Sequence, residues 1–297
     1  MTETTETPIV STAPARSYGR AGRNLPQAIG LGVGLGASVV LSLLFFQPAF
    51  VILLAAALAA ASVELYNALR KQEMTAAIVP IVGGCVAIPI GSYLAGQETT
   101  SLEFSTTSVL LASLALTVFA TLVWRMPKGA TGYVKDVAAS LLIVGYVPLL
   151  GSFAALMLAE QHGAARLVTF ALIVTMSDTG GLIGGVLFGK HPMAPLISPK
   201  KSWEGFAGSM VCGVAAGTLM AVLVLGVPFW VGIIIGVSLV IVATCGDLIE
   251  SQIKRDIGIK DMSSFLPGHG GVMDRLDSLL VAAPVAWLIM FIFVPGG

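Results

Sequence analysis

Long apolar runs dominate this sequence and alternate with short polar turns. Nine of the runs approach the length of about 20 residues that a helix needs to cross a bilayer core. Turns rich in proline, glycine and polar residues separate several of them. Within several residues at each end, the predicted spans are 26–46, 49–69, 75–95, 106–124, 137–159, 166–188, 205–226, 229–249 and 277–294. The pattern therefore predicts an all-α, polytopic membrane helix bundle of about nine transmembrane helices.

Composition supports a membrane protein. The chain has 297 residues, of which 56% are hydrophobic and 11% are charged, whereas a soluble domain carries about 25% charged residues. The mean hydropathy is +0.92. The net charge is zero, so charge alone points to no nucleic-acid partner. Cys85, Cys212 and Cys245 lie inside apolar runs, which favours packing roles over disulfides or metal ligation.

The distribution of Lys and Arg predicts the orientation. With a cytoplasmic N-terminus, nine spans place fifteen of the sixteen bases on the cytoplasmic side, and only Arg166 lies outside. Cytoplasmic loops carry an excess of bases in membrane proteins. Residues 1–24 lack the apolar segment of a signal peptide and are predicted to form a disordered cytoplasmic tail. We further divide the chain into N-terminal transmembrane helices (25–160) and a catalytic transmembrane region (161–297) with a cytoplasmic-facing site.

The glycines at positions 30, 32, 34 and 36 imitate a dinucleotide-binding pattern. That motif requires a preceding strand and a following acidic residue, and the sequence has neither at the required positions. Close packing of transmembrane helices is the better interpretation, because small residues let helix backbones approach each other.

A polar stretch, residues 246–277, holds six carboxylates and four bases between two apolar runs. If the eighth helix continues past its span, Asp247, Glu250 and Lys254 share one of its faces. Asp274 and Asp277 share a face where the ninth helix begins. Carboxylates from two helix ends form the hard-oxygen environment that Mg²⁺ accepts. The role of His269, in the glycine-rich turn between them, is left open.

Other polar residues within or beside the spans are weaker candidates. Asp178 lies deep in the sixth span, where a carboxylate needs a partner or a wet cavity; a protonated, interhelical hydrogen bond is the alternative. Glu64 is ambiguous in the same way, and we favour a structural role for it. Ser202 is predicted to cap the seventh helix, whose free N–H groups, with Lys201 nearby, suit an anion. A membrane-surface anchor is the alternative for this segment.

The stretch resembles the signature of the phosphatidate cytidylyltransferases, also called CDP-diacylglycerol synthases. The matching residues are Ser251, Ile253–Arg255, Lys260-Asp261, Ser263, Leu266-Pro267, His269–Gly271 and Asp274–Asp277. Asp178, the 188–191 segment and the 198–205 segment resemble the family as well. The resemblance implies transfer of the cytidylyl group of CTP to phosphatidic acid, giving CDP-diacylglycerol and pyrophosphate for phospholipid synthesis.

The resemblance also implies the site. We assign catalytic roles to Asp247, Asp274, Lys254 and Arg255, and metal ligation to Asp247, Asp274 and Asp277. The predicted substrate-binding residues are Asp178, Ser198, Lys201, Ser202, Glu204, Lys254, Arg255, His269, Gly270, Gly271 and Arg275. The implied cofactor is Mg²⁺, and a second, monovalent cation is left open, as is a homodimer. The expected location is the cell membrane, with multiple passes and the active site facing the cytoplasm.

Two other functions fit part of the pattern. A CTP-dependent lipid kinase, or a synthase for another lipid phosphate, would use a similar clamp for its anions. A transporter with an acidic cation path would place its site near the midplane between repeated halves, but the charges crowd one end of the spans and no repeat is evident.

Overall fold

The computed structural model of the protein describes residues 25–96, 105–263 and 270–295. The predicted disordered tail, 1–24, and His269 lie outside the described residues. Ten α-helices account for most of the described chain: α1 (Leu25–Phe45), α2 (Gln47–Arg70), α3 (Ile78–Ala95), α4 (Thr106–Arg125), α5 (Tyr133–Val144), α6 (Leu150–Ala159), α7 (Gly163–Phe188), α8 (Trp203–Leu223), α9 (Phe229–Ile257) and α10 (Met273–Phe293).

The predicted all-α, polytopic bundle is confirmed. One π-helical turn, Gly145–Leu149, contains Pro148 and joins α5 to α6, so the ten helices form nine segments that match the nine predicted spans. Eight of the segments in the described residues are long and apolar enough to cross a membrane. Within α1, the part Gly36–Phe45 is an apolar helix of shorter length. The orientation of the bundle stays a prediction.

Helix α10 lies at the centre of the packing. It contacts α2, α6, α7 and α9, and Leu280, Ala282, Ala283, Ala286 and Met290 along it are buried. At its C-terminal end, the buried guanidinium of Arg166 donates hydrogen bonds to the carbonyls of Met290 (3.0 Å) and Val294 (3.1 Å). The Met290 carbonyl also accepts the N–H of Val294, the residue that follows α10. Arg166 therefore fixes this end of α10 to the start of α7.

A short β-hairpin interrupts the helices between α7 and α8, and the sequence did not predict it. Strand β1 (Pro192–Ala194) pairs antiparallel with β2 (Ser198–Ser202). Three prolines, at positions 192, 195 and 199, account for the break, because proline lacks the N–H that a helix interior needs. The hairpin brings Ser198, Lys201 and Ser202 to one end of the bundle.

A buried ion pair organises the loop between α4 and α5. Arg125 Nε lies 2.5 Å from Asp136 Oδ2, and the guanidinium also donates to the carbonyls of Gly129 and Thr131. Asp136 Oδ1 accepts a hydrogen bond from the backbone N–H of Thr75 at 2.6 Å. The pair therefore holds the loop between α2 and α3 against the loop between α4 and α5. Both buried charged groups have hydrogen-bond partners, which offsets the cost of burying them.

Candidate active site

Helices α9 and α10 approach most closely where the predicted acidic residues lie. A Cβ atom on Gly246 would lie 2.7 Å from the carbonyl oxygen of Asp277 and 3.2 Å from Cα of Ser278. Only glycine therefore permits this contact, which places Asp247 of α9 beside Asp277 of α10. The two carboxylates are close enough to interact electrostatically, and Glu250, one turn along α9, interacts with Asp277 as well.

Lys254 links the end of α9 to the start of α10. Its ammonium nitrogen lies 2.6 Å from Glu250 Oε2 and 2.9 Å from Asp274 Oδ1. The continuation of α9 to Ile257 confirms the predicted shared face of Asp247, Glu250 and Lys254. The lysine is mostly buried between its two partners, so it is held in one position.

Asp274 has partners on both of its oxygens. Oδ1 contacts Lys254, while Oδ2 accepts hydrogen bonds from the backbone N–H groups of Gly271 (2.7 Å) and Met262 (3.1 Å). Gly270, next to this contact, has a φ of +82°, which glycine adopts without strain. Asp274 therefore organises the end of the loop before α10, and its predicted role as a metal ligand stays a prediction.

A polar cavity of about 390 Å³ opens between α7, α8, α9 and the hairpin. Five of the predicted site residues line it: Asp178, Ser198, Lys201, Ser202 and Asp247. Lys201 Nζ lies 2.5 Å from Asp247 Oδ2, and both side chains remain partly exposed. The cavity is thus lined by two lysines, Lys200 and Lys201, and by two carboxylates, Asp178 and Asp247.

Local contacts hold the hairpin against this cavity. Ser202 caps α8, as predicted, by accepting a hydrogen bond from the N–H of Gly205 at 3.1 Å. Glu204 accepts from the backbone N–H groups of Lys190 and His191 and contacts the His191 ring nitrogen Nδ1 at 2.5 Å. Glu204, predicted to bind substrate, therefore binds the residues that precede the hairpin, Lys190 and His191, to the start of α8.

The tip of the hairpin is fixed separately. Arg255 Nε donates a hydrogen bond to the carbonyl oxygen of Ile197 at 3.3 Å. A residue predicted to bind an anion thus joins the end of α9 to the tip of the hairpin in this structure. Its predicted anion-binding role stays a prediction.

Glycines let α7 and α8 form one wall of the cavity. A Cβ atom on Gly208 would lie 2.4 Å from the carbonyl oxygen of Gly180, and one on Gly184 would lie 2.8 Å from that of Glu204. Backbone atoms cannot move away cheaply, so these positions require glycine. The contact keeps Asp178, on α7, close to the residues that α8 and the hairpin contribute.

The inner end of the site contains buried polar atoms without partners. Glu250 Oε1 and the Tyr146 hydroxyl have no hydrogen-bond partner when the carboxyl groups are ionised, although Glu250 is 0% and Tyr146 8% exposed. Glu250 shares a hydrogen bond with Asp277 only when one of these two carboxyl groups is protonated. Tyr146 lies in the π-helical turn and interacts electrostatically with Glu250, Asp277 and Asp247. Unpartnered buried groups are rare in folded proteins, and π-helical turns are frequent at functional sites.

Sequence reasoning missed Tyr146 and did not place Glu64 at this site. Glu64, for which we favoured a structural role, reaches from α2 to the loop before α10 and accepts hydrogen bonds from Ser263, Val272 and Met273. A signal was present for Glu64, because a carboxylate inside an apolar span is costly unless it has partners. No sequence signal marked Tyr146.

Comparison with known proteins identifies the family. A sequence model described as the cytidylyltransferase family matches residues 26–293, which is nearly the whole chain. The chain belongs to the cytidylyltransferase family. The resemblance to the family, which rested on about a third of the sequence, is thereby confirmed, and the match extends across the predicted spans.

Members of the family with curated names are similar over most of their length. A phosphatidate cytidylyltransferase of Mycobacterium leprae is 41% identical over 288 residues, covering 91% of this chain and 89% of that protein. One from Mycobacterium tuberculosis H37Rv is 38% identical over 291 residues, covering 93% of this chain and 85% of that protein. One from Staphylococcus saprophyticus is 36% identical over 156 residues, 52% of this chain and 59% of that protein.

Proposed function

We propose that this protein is a phosphatidate cytidylyltransferase, which converts CTP and phosphatidic acid into CDP-diacylglycerol and pyrophosphate. The observation that carries the proposal is the cavity at one end of a membrane helix bundle. The cavity contains the Lys201–Asp247 ion pair and lies next to the place where α9 and α10 approach each other. Full-length similarity to phosphatidate cytidylyltransferases supports it independently.

The reaction needs positioning more than proton transfer. An oxygen of the lipid phosphate forms a bond to the α-phosphorus of CTP, and the bond from that phosphorus to the bridging oxygen of the β-phosphate breaks. The attacking phosphate is already ionised near neutral pH, so no strong general base is required. Two polyanions must meet, and catalysis therefore depends on alignment and on fixed positive charge.

Lys201 is well placed to meet an anion, because it faces the cavity and remains partly exposed, and Lys200 lines the same cavity. A phosphate group that binds Lys201 replaces its present partner, Asp247, and leaves that carboxylate available to a cation. Lys254 lies further in and is shared by Glu250 and Asp274. It offsets the negative charge of the acidic residues around it and keeps them close together.

The residues also fit a divalent cation. Among the described residues, no group of three or more His, Cys, Asp or Glu side chains forms a preassembled metal site. Mg²⁺ commonly uses only one or two carboxylates and completes its shell with water and substrate phosphates. Asp247 and Asp277, whose carboxylates are close enough to interact electrostatically, provide such a pair. Bound Mg²⁺ would supply positive charge that offsets the charge developing on pyrophosphate.

We place the site on the cytoplasmic side of a cell membrane. The hairpin, Lys254 and the loop before α10 belong to the segments that contain fifteen of the sixteen bases, which the positive-inside rule assigns to the cytoplasm. CTP would then reach the cavity from solution, and phosphatidic acid would arrive from the bilayer. A homodimer stays a prediction.

Release of pyrophosphate by purified protein tests the proposal. We expect CTP and phosphatidic acid together to release pyrophosphate, and either substrate alone to release none. A lipid kinase would instead act on diacylglycerol and release CDP. Product analysis with both lipids therefore separates the two enzymes, and CDP formation from diacylglycerol without pyrophosphate would contradict the proposal.

A further inference from the structure

Glu64 connects the N-terminal half of the chain to the candidate active site. It lies in α2 and is 6% exposed. Its Oε1 accepts hydrogen bonds from Ser263 Oγ (2.5 Å) and from the N–H of Val272 (3.0 Å), and its Oε2 accepts from the N–H of Met273 (2.8 Å). These partners lie 199 to 209 residues away in the sequence.

The contacts satisfy the start of α10. The first N–H groups of a helix have no partner within the helix, and here Glu64 accepts from those of Val272, the N-cap residue, and Met273. Asp274 accepts from the N–H of Gly271, just before the helix. A Cβ atom on Gly271 would lie 2.5 Å from Glu64 Oε2, so a glycine is needed for the carboxylate to come this close.

Glu64 contacts the segment between α9 and α10 at two places. Ser263 lies six residues after Ile257, the last residue of α9, and Val272 and Met273 lie where the chain enters α10. The next residue, Asp274, contacts Lys254, and Asp277 follows on the same helix beside Asp247. A shift at the start of α10 therefore moves both aspartates relative to α9. The negative charge of Glu64 also suits the positive end of the helix dipole.

We propose that Glu64 is a positioning residue for the reaction, which acts by fixing the start of α10 and thereby the placement of Asp274 and Asp277. It does so from outside the C-terminal region that carries the family signature. The proposal rests on the proposed function for its kinetic test only, since the contacts themselves are independent of the activity.

The test compares Glu64→Gln and Glu64→Ala with Asp136→Asn as a matched control. Asp136 is also a buried carboxylate that accepts a backbone N–H and contributes to loop packing, but it contacts Arg125 and Thr75 and not this loop. Glutamine retains one acceptor oxygen in place of two, and alanine retains none. We expect kcat per folded molecule to fall about 10- to 100-fold in Glu64→Gln, further in Glu64→Ala, with KM for CTP changed little.

Hydrogen exchange provides a readout that does not need activity. Amides 271–273 are expected to exchange faster in Glu64→Gln than in the wild type and to be unchanged in Asp136→Asn. Unchanged exchange at these amides, or a loss of kcat in Glu64→Gln no greater than in Asp136→Asn, would overturn the inference. Faster exchange in Glu64→Gln, together with a wild type that releases no pyrophosphate, would instead contradict the proposed function and leave the placement role intact.

Discussion

The carboxylates of Asp247 and Asp274 have different partners, and their chemical roles differ accordingly. Asp247 contacts Lys201 at the wall of the cavity. Asp274 is enclosed by Lys254 and by two backbone N–H groups. Asp247 is therefore available to a ligand, whereas Asp274 maintains the arrangement of the loop and of Lys254.

Asparagine at each of the two positions separates these roles. Asp247→Asn removes the charge at the cavity wall but disturbs few contacts, so we expect turnover to fall on the order of 100-fold with little change in melting temperature. Asp274→Asn removes one of the two carboxylate partners of a mostly buried ammonium, so activity and melting temperature should fall together. Kinetics and thermal unfolding of both variants check this, and a fully active Asp247→Asn protein would contradict it.

Lys201 should matter through its charge in the cavity. We expect Lys201→Ala to raise KM for CTP about 10- to 100-fold, as the loss of a charged hydrogen bond of about 1.5 to 3 kcal/mol would do. Lys135 is exposed and lies away from the cavity, so Lys135→Ala is the matched control. An equal, small effect of both substitutions on KM would remove Lys201 from the anion-binding role.

Local sequence signals predicted individual residues better than distant contacts. The cap at Ser202 was predictable because capping depends on residues three apart, and the face of Asp247, Glu250 and Lys254 followed from helical spacing. The partners of Asp274 depend on how the loop folds, and those of Glu64 lie about 200 residues away. No spacing rule connects such residues, which is why the sequence favoured a structural role for Glu64 without predicting its partners.

At the scale of elements, hydropathy predicted where helices lie but not where they end. The apolar span of α9 was predicted to end at 249, and the helix continues to Ile257, as the shared face of Asp247, Glu250 and Lys254 required. Backbone hydrogen bonding continues there after the side chains become polar. The β-hairpin and the π-helical turn were missed, since each is only a few residues long and is surrounded by apolar helices. Both lie at the site, where departures from regular structure are expected.

The glycine contact between α7 and α8 should be sensitive to a single methyl group. Gly208→Ala would force the two backbones apart, so we expect a loss of about 1 to 3 kcal/mol in the free energy of unfolding, together with lower activity. Gly83 lies in a helix and has nothing within 4 Å of its added Cβ, so Gly83→Ala is the control. Thermal unfolding of both variants checks this, and equal stability would show that the wall adapts.

At the scale of the whole molecule, α10 is fixed at both ends by residues from other helices. Glu64 binds the start of α10, and Arg166 binds its last carbonyls. These two contacts join the N-terminal helices and the start of α7 to the helix that carries Asp274 and Asp277. The N-terminal half therefore takes part in placing the site, although the signature lies entirely in the other half.

The orientation can be tested with single cysteines. Leu196, at the tip of the hairpin, is 95% exposed, and Gln161 lies in the exposed turn before α7. In intact cells, a membrane-impermeant thiol reagent should label Gln161→Cys and fail to label Leu196→Cys, with the wild type as the baseline for its three native cysteines. The reverse pattern would place the site on the outer face.

The origin of the phosphorus in the lipid product tests the central claim most directly. Purified protein is incubated with phosphatidic acid and with CTP that carries labelled phosphorus at either the α or the γ position. Cytidylyl transfer predicts that the α label enters the lipid and that the γ label leaves in pyrophosphate. Lipid that carries the γ label would show phosphoryl transfer and would contradict the account.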